Sequence, residues 1–383
     1  MKKIKVQLDF NITKKTHSLY HSFFNNPPEG VEYIKSEFVG VNEKSYSTLG
    51  KIYKKIVKIL PFVSKFHQTI NDILRKDSGA DLIHFTFHLG NTKKRCVADY
   101  ETGYSFINIK DKENNLVKKR IIRKLNKKNL KYLMPIHKES LKSFKLLFGD
   151  KVKKPQEIIY PTIFISEEFR QHVKRKNRII FISTNNILED QIFLIKGGLE
   201  TLIAFEKLAK KYPRWNFTIL GKLPSNIKMD FPKNLLLINS LPREEMWKIF
   251  NESKIFVQPC YQAPAMAFLE AMWFKLPIIT YNCWANDEYV DDKNGILINP
   301  ESINSYIDKY NVPDYTKDVL ERIKENSSKN SKKIEKAVEK LIKNNNLREK
   351  LGENGFNRVS TGKFSIDKKN EKLRKIYEYA LIK

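Results

Sequence analysis

The sequence is poor in cysteine, with only three among 383 residues: Cys96, Cys260 and Cys283. Their separations match no zinc or redox motif, so we expect isolated thiols of a reducing compartment. The chain also lacks an apolar run of about 18 residues, which argues against a transmembrane helix. Its first ten residues alternate polar and apolar side chains, as a strand does, and lack the apolar core of a signal peptide. These absences together predict a cytoplasmic protein.

Acidic residues are scarce, with 43 against 71 basic ones and a net charge of +28. This excess fits an anionic partner, a Lys-rich organism or a thermophilic surface. No zinc-finger, basic-zipper or RNA-recognition signature accompanies it, so nucleic acid is not expected as a partner. Residues 51–65 and 116–133 concentrate bases without acids. Each is either a solvated helix face or a peripheral contact with an anionic membrane, at the inner face, and residues 116–133 also suit a polyanionic acceptor.

A glycine-rich turn is missing after the first predicted strand, residues 3–10, which argues against a nucleotide in the N-terminal half. That half offers polar side chains near strand ends instead. His84 lies in a predicted strand, and Asp99 and Glu101 end the next one. An Asp-x-Glu pair suits a divalent cation, but no third ligand follows, so no metal site is predicted. We prefer a wall of the cleft that contacts hydroxyl groups or the reacting centre, whereas His84 alone is better explained as a hydrogen-bonded structural histidine.

The C-terminal half alternates predicted strands and helices, which indicates a parallel, doubly wound sheet. Lys196-Gly197-Gly198 precedes one of these helices. Free backbone N–H groups, two permissive glycines and an ammonium make an anion site that suits a diphosphate. A chain of this length predicts two domains, and the polar stretch 166–177 is interpreted as the linker between them. Further on, residues 332–344 are predicted as an amphipathic helix with an apolar side of Ile334, Val338, Leu341 and Ile342.

The window from Ile255 to Asn286 contains just two charged residues, Glu270 and Lys275. Its apolar runs predict a buried strand, a buried helix over 264–274 and another buried strand. A carboxylate inside such a helix is costly unless a specific partner satisfies it. The sequence therefore marks Glu270 as a candidate functional residue.

Taken in order, these motifs resemble the donor half of retaining glycosyltransferases of family 4, also called glycosyl transferases group 1. The residues that carry the resemblance are Lys196-Gly-Gly, Ala204-Phe205, Tyr212-Pro213, Ile219-Leu-Gly221, Pro259 to Pro277, Glu288 to Pro300 and Leu347 to Arg358. The resemblance implies an α/β protein of GT-B fold, with two Rossmann-like doubly wound domains facing across a cleft. Residues 1–160 would bind the acceptor and 161–365 the nucleotide-sugar, while 366–383 would pack back on the first domain.

The resemblance also implies roles for individual residues. Glu270 takes the second position of a Glu-x7-Glu motif and would bind the ribose of the donor. Gln262 takes the first position, where the family has Glu, and would orient the transferred sugar. Ala263-Pro264-Ala265 stands where the family has Gly-Phe-Gly, and Ala265 and Met266 would line the donor site. Thr184 stands where many members have an Arg that grips the diphosphate.

The remaining implied roles concern the reaction itself. Lys196, with Gly197 and Gly198, would stabilise the leaving diphosphate, and Asp99, Glu101 and His84 would contact the reacting region. The expected enzyme is hexosyltransferase-like and independent of metals and cofactors. Its acceptor is a glycan, a lipid or a small molecule.

Three alternatives stay open at this stage. One is a non-catalytic nucleotide-sugar-binding protein, suggested by Gln262 and Thr184. A basic scaffold for membranes or nucleic acid is another, and a nucleotide-sugar epimerase is the third.

Overall fold

The computed structural model describes residues 3–9, 18–35, 37–38, 75–76, 79–170, 173–183, 189–224, 227, 230–301 and 306–382. The chain divides into two compact units. One comprises Met1–Tyr160 with Lys369–Lys383, and the other Pro161–Lys368. The basic stretch 51–65 lies outside the described residues, so its interpretation as a membrane contact stays a prediction.

The first unit is built on a five-stranded parallel sheet of order β2-β1-β5-β6-β7. Its strands, with a separate antiparallel pair β3 and β4, are β1 (Ile4–Leu8), β2 (Val31–Lys35), β3 (Glu37–Phe38), β4 (Arg75–Lys76), β5 (Leu82–Thr86), β6 (Cys96–Tyr100) and β7 (Leu130–Pro135). Among the described residues of the N-terminal part, the α-helices are α1 (Ser18–Asn25), α2 (Asn115–Leu125) and α3 (Lys138–Phe148).

The second unit has a six-stranded parallel sheet of order β10-β9-β8-β11-β12-β13. Its strands are β8 (Arg178–Ile182), β9 (Asn216–Leu220), β10 (Leu235–Ile238), β11 (Ile255–Val257), β12 (Ile278–Tyr281) and β13 (Gly295–Ile298). The helices are α4 (Glu189–Ile195), α5 (Gly198–Lys211), α6 (Arg243–Glu252), α7 (Ala265–Trp273), α8 (Asn286–Tyr289), α9 (Lys317–Lys343) and α10 (Asn345–Ser360).

The last helix, α11 (Ile366–Ile382), begins in the second unit and belongs to the first from Lys369 onward. Its apolar face buries Leu373, Ile376 and Tyr377 in the core of the first unit. That core also contains Val6 and Leu8 of β1. Period-3.6 spacing of the buried residues along α11 explains why one face packs on the sheet.

Two parallel-sheet α/β units confirm the predicted fold class. Two details differ from expectation. The polar segment 166–177, predicted as the interdomain linker, lies inside the second unit, and its Phe169 ring packs on Trp247 at 5.1 Å. The helix predicted over 332–344 is the last part of α9, which begins at Lys317.

Candidate functional site

The carboxyl ends of β8 and β11 lie side by side where the strand order of the second sheet reverses. From this point β9 and β10 lie to one side and β12 and β13 to the other. The two strands pair directly, through Ile255 with Ile179 and Phe256 with Ile180. Ligands of open α/β sheets bind outside the carboxyl ends of the strands at such a switch point. The segments that follow β8 and β11 are therefore the place to look for a site.

The glycine pair after α4 is required by packing. Gly197 has a φ of +71°, in the left-handed region that glycine adopts most easily. A β-carbon on Gly197 would overlap the carbonyl oxygen of Pro259, which follows β11. One on Gly198 would lie 2.6 Å from the ring of Phe193. The turn before α5 is thus pressed against the segment after β11.

Gln258 joins the two segments by its side-chain amide. Its Oε1 accepts a hydrogen bond from the backbone N–H of Ile182 at 3.3 Å, at the end of β8. Its Nε2 donates to the carbonyl of Lys196 at 3.4 Å. The backbone N–H of Tyr261 also donates to the carbonyl of Ile195, at 3.0 Å. These bonds fix the Lys196 turn at the switch point.

Lys196 is half-buried, and its ammonium forms no hydrogen bond or ion pair with any described residue. Burial lowers the pKa of Lys196, and the neighbouring Cys260 thiol acts in the opposite direction. A cation that is partly removed from water and not paired favours a bound anion, because the anion restores its charged form. At the same turn, α5 begins at Gly198, so its first N–H groups have no intrahelical acceptor.

Glu270 lies on the buried side of α7, and its side chain has a relative exposure of 6%. The indole Nε1 of Trp247 donates to its Oε1 at 3.2 Å. Burial raises the pKa of Glu270 to about 7, and the Trp247 hydrogen bond and the Arg243 charge act in the opposite direction. One neutral donor is a poor substitute for the water that a carboxylate loses on burial. Glu270 can therefore accept further hydrogen bonds from a ligand.

Gln262 lies just before α7 and is half-buried. It forms an isolated parallel bridge with Trp284, and its Oε1 accepts a hydrogen bond from the Tyr315 hydroxyl at 3.4 Å. Ala265 and Met266, the first residues of α7, are half-buried as well. The segment is thus held by backbone pairing at Gln262 and Ala263, while the side chains of Gln262, Ala265 and Met266 stay partly accessible.

A buried carboxyl that the sequence analysis missed lies in the first turn of α5. Glu200 is fully buried, and its Oε1 accepts a hydrogen bond from the Tyr261 hydroxyl at 2.9 Å. Burial raises the pKa of Glu200 to about 7. Asn330 of α9 donates in turn to the Tyr261 hydroxyl at 3.4 Å. Glu200 therefore fixes the side chain of Tyr261, the residue that precedes Gln262 in the sequence.

Sequence did not signal Glu200, because an acid in the first turn of a helix is ordinarily explained by the helix dipole. Trp247 gave no signal either, since its partner Glu270 lies 23 residues further along the chain. Gln258 lies at the end of a predicted strand, where an amide is unexceptional.

In the first unit, His84 and Asp99 lie together on neighbouring strands. The His84 Nε2 is 3.3 Å from Asp99 Oδ2, and the His84 Nδ1 is 2.8 Å from the Tyr377 hydroxyl of α11. His84 is fully buried, and Asp99 has a relative exposure of 6%. The backbone N–H of Phe87 donates to Asp99 Oδ1 at 2.8 Å. Both side chains are thus engaged by protein groups.

Glu101 follows β6 directly and is half-buried. Its backbone N–H donates to the Ser105 hydroxyl at 3.3 Å, at the start of a short turn. Of the three predicted residues of this unit, Glu101 is therefore the most accessible to solvent.

The structure brings Lys196, Gly197 and Gly198 against the segment after β11. It places Gln262 just before α7 and Glu270 in the middle of that helix. Thr184 lies outside the described residues, so its predicted contact with a diphosphate stays a prediction.

Within the described ranges, no group of three or more His, Cys, Asp or Glu residues is placed to hold a metal ion. In the same part of the chain, no helix combines the length and the apolarity needed to cross a bilayer.

The part of the chain that contains Lys196, Gln262 and Glu270 matches a known protein family in sequence. Residues 164–327 match the model of glycosyl transferases group 1. A protein of Haemophilus influenzae, described as an uncharacterized glycosyltransferase, is 31% identical over 142 residues. The match covers 34% of this chain and spans 40% of that relative's length.

Solved structures of similar fold cover nearly the whole chain. Sucrose-phosphate synthase of Thermosynechococcus elongatus has a TM-score of 0.57 at 11% identity, and 98% of both chains is covered. The Escherichia coli trehalose-6-phosphate structure bound with UDP-2-fluoro glucose has a TM-score of 0.59 at 10% identity, and the match covers 98% of this chain and 99% of the other. HepE of Anabaena in complex with UDP-glucose has a TM-score of 0.53 at 11% identity, and the match covers 98% of this chain and 99% of HepE. These likenesses show the GT-B fold of glycosyltransferases.

Proposed function

We propose that this chain is a glycosyltransferase that moves a sugar from a nucleoside diphosphate sugar to an acceptor hydroxyl with retention of configuration. The observation that carries the proposal is the Lys196 turn, docked at the switch point of a sheet whose surrounding residues match group 1 glycosyl transferases. UDP-sugars are the first donors to test, because HepE of Anabaena and the Escherichia coli structure contain UDP-glucose and UDP-2-fluoro glucose.

In this proposal Lys196 acts on the leaving group. The bond between the anomeric carbon and the diphosphate oxygen breaks, and negative charge grows on that oxygen. An ammonium that is partly desolvated and unpaired within the described residues, beside free N–H groups of α5, stabilises this charge more strongly than water does. The acceptor oxygen forms the new bond to the same carbon, and its proton passes to the leaving phosphate.

Glu270 and Gln262 bind the rest of the donor. The Glu270 carboxylate accepts hydrogen bonds from the ribose hydroxyls, a partner that offsets the cost of its burial. Gln262 accepts from a hydroxyl of the transferred sugar, with Ala265 and Met266 beside it and Thr184 near the diphosphate. A neutral amide binds a hydroxyl less strongly than a carboxylate, by about 1 kcal/mol, so the amide weakens donor binding without abolishing it.

The first unit supplies the acceptor side of the reaction. Glu101, the most accessible of its three candidates, would contact the acceptor hydroxyl. His84 and Asp99 are enclosed by protein partners, so in this proposal they fix the strand ends near Glu101. Cytoplasmic location, hexose as the transferred sugar and independence from metals belong to the same proposal.

The experiment measures nucleotide release from a panel of nucleotide-sugars by the full-length protein, with EDTA present in a parallel series. Lys196→Met and Glu270→Gln are each expected to lower turnover about 100-fold or more. The matched control is Lys207→Met on α5, whose Nζ pairs with Glu335 at 3.2 Å and whose side chain is half exposed. Equal turnover in all four proteins would contradict the assignment.

The same assay separates the enzyme from a non-catalytic binding protein. A binding protein retains a nucleotide-sugar in calorimetry and releases no product with any acceptor tried. That outcome would overturn the proposed activity and leave the binding site intact.

A further inference from the structure

The two carboxylate oxygens of Glu270 have different surroundings. Oε1 accepts the hydrogen bond from the Trp247 indole at 3.2 Å. Oε2 has no hydrogen-bond partner among the residues that the structure describes, and the side chain keeps a relative exposure of 6%. One oxygen is therefore committed to the protein, and the other can accept from a ligand.

Trp247 is itself held in place from its other side. It lies on α6, is half-buried and packs edge-to-face against Phe169, with ring centroids 5.1 Å apart and planes at 67°. Phe169 belongs to a short 3-10 helix, Glu167–Arg170, in the segment before β8. An indole packed on one side and hydrogen-bonded on the other has few alternative rotamers, which is what a residue that orients a ligand group requires.

The first turns of α6 favour the ionised form of Glu270. Arg243 lies four residues before Trp247, one helical turn away and hence on the same face. Both its positive charge and the Trp247 N–H lower the pKa of Glu270, against the larger effect of burial. Removal of the indole N–H would leave the carboxyl protonated over a wider pH range.

We propose that Trp247 is a positioning residue for donor binding, which holds Oε1 of Glu270 so that Oε2 is presented, ionised, to the vicinal hydroxyls of the donor ribose. The proposal rests on the proposed function, since it takes the ribose of a nucleoside diphosphate as the group that Glu270 binds. It extends the site from α7 to the facing side of α6.

The chain offers a matched control in a second tryptophan. Trp273 lies on α7 like Glu270, and its buried Nε1 has no hydrogen-bond partner within the described residues. Its ring contacts Phe356 at 5.6 Å and the Arg170 guanidinium at 5.3 Å, contacts that a phenylalanine ring largely preserves. Trp273→Phe therefore removes an indole of the same unit without removing a hydrogen bond.

The test compares wild type, Trp247→Phe and Trp273→Phe in two measurements on the full-length chain. Calorimetric titration with UDP between pH 5.5 and 8.5 measures nucleotide affinity. Carbon-13 NMR of the glutamate side-chain carboxyls measures the titration of Glu270 without nucleotide, with Glu270→Gln used for assignment. We expect Trp247→Phe to weaken UDP binding about tenfold at pH 7.5 and to move the acid midpoint of binding to higher pH.

The outcomes distinguish a positioning role of the Trp247 hydrogen bond from an effect of tryptophan packing. Weaker UDP binding with a raised Glu270 midpoint in Trp247→Phe alone supports the proposal. An unchanged UDP affinity in Trp247→Phe would overturn it, whatever the NMR midpoint does. Equal weakening in Trp273→Phe would also overturn it, because the effect would then follow packing. Failure of the wild type to bind UDP, GDP or ADP would instead overturn the proposed function and this inference together.

Discussion

Gly197 and Pro259 are in such close contact that the glycine has no room for a side chain. A β-carbon at Gly197 would overlap the Pro259 carbonyl oxygen, and the backbone of Gly197 has a left-handed φ of +71°. The contact connects the turn that carries Lys196 with the segment that leads from β11 to Gln262. Two parts of the proposed donor site are thus held in register by one backbone approach.

Gly197→Ala is expected to destabilise the second unit by about 2 to 4 kcal/mol, because it adds a clash with backbone to an unfavourable φ. Thermal unfolding and amide hydrogen exchange of α5 measure the effect. Gly149→Ala is the control: that residue also has a positive φ, of 61°, but no atom lies within 4 Å of its added β-carbon. Equal losses in the two variants would assign the effect to backbone strain alone.

The sequence predicted β1, β5 and β6 of the first unit and the parallel sheet of the second, because period-2 and continuous apolar runs mark buried strands. It missed the first half of α9 for a physical reason. The buried face between Ile323 and Ile334 is formed by Ser327, Asn330 and Ser331, so the apolar period is interrupted. Asn330 is buried there because it donates to Tyr261 and accepts from the backbone N–H of Glu301.

The candidate site residues also differ in whether the sequence alone can identify them. Glu270 could be found from its own neighbourhood in sequence, as one charge in an apolar helix. Trp247 and Glu200 could not, because each is defined by a partner, Glu270 or Tyr261, that tertiary packing brings to it. Composition also misassigned residues 166–177, where Phe169 and Arg170 pack on rings of the second unit.

Glu200 is expected to make the protein less stable as the pH rises. Its pKa is about 7 in the folded state and near 4.5 when exposed, so the folded state binds the proton more tightly. Stability from this group is complete below pH 4.5 and is lost as the pH rises to about 7. Glu200→Gln should reduce the drop in unfolding free energy between pH 5 and pH 8 by roughly 2 kcal/mol.

Denaturant unfolding at both pH values measures that drop. Glu206→Gln on the same helix is the control, because Glu206 is only half-buried and pairs with Lys210 at 2.8 Å. A pH dependence that is the same in Glu200→Gln as in the wild type would contradict the prediction, whatever the variant's absolute stability.

Tyr377 is expected to stabilise the first unit through its hydroxyl. The group lies 2.8 Å from His84 Nδ1 and 3.1 Å from the Tyr33 hydroxyl, in a fully buried position. Tyr377→Phe leaves both partners without that bond and should cost about 1 to 3 kcal/mol. Hydrogen exchange of α11 and β5 measures it. In Tyr281→Phe, where the buried hydroxyl has no partner among described residues, stability should hold or rise.

The cationic face of α2 is expected to bind anionic vesicles weakly. Leu116, Lys119, Arg120 and Arg123 are exposed and recur at helical spacing, so they form one face. Leu116 has a relative exposure of 76%, which places an apolar side chain among the three cations. Each cation near an anionic surface contributes about 1 kcal/mol at low salt. Reversal of all three to Glu should therefore lower vesicle affinity more than 100-fold.

The control for this reversal must hold the net charge constant, because a chain of +28 is attracted to any anionic surface. Lys329, Lys332 and Lys336 of α9 are exposed and can be reversed to the same three Glu residues. Cosedimentation with vesicles containing phosphatidylserine, at 50 and 300 mM salt, compares the two triple variants. If α2 is the contact, only its variant loses binding, whereas an equal loss in both would show attraction by net charge alone. Equal binding to neutral vesicles would exclude the electrostatic contact.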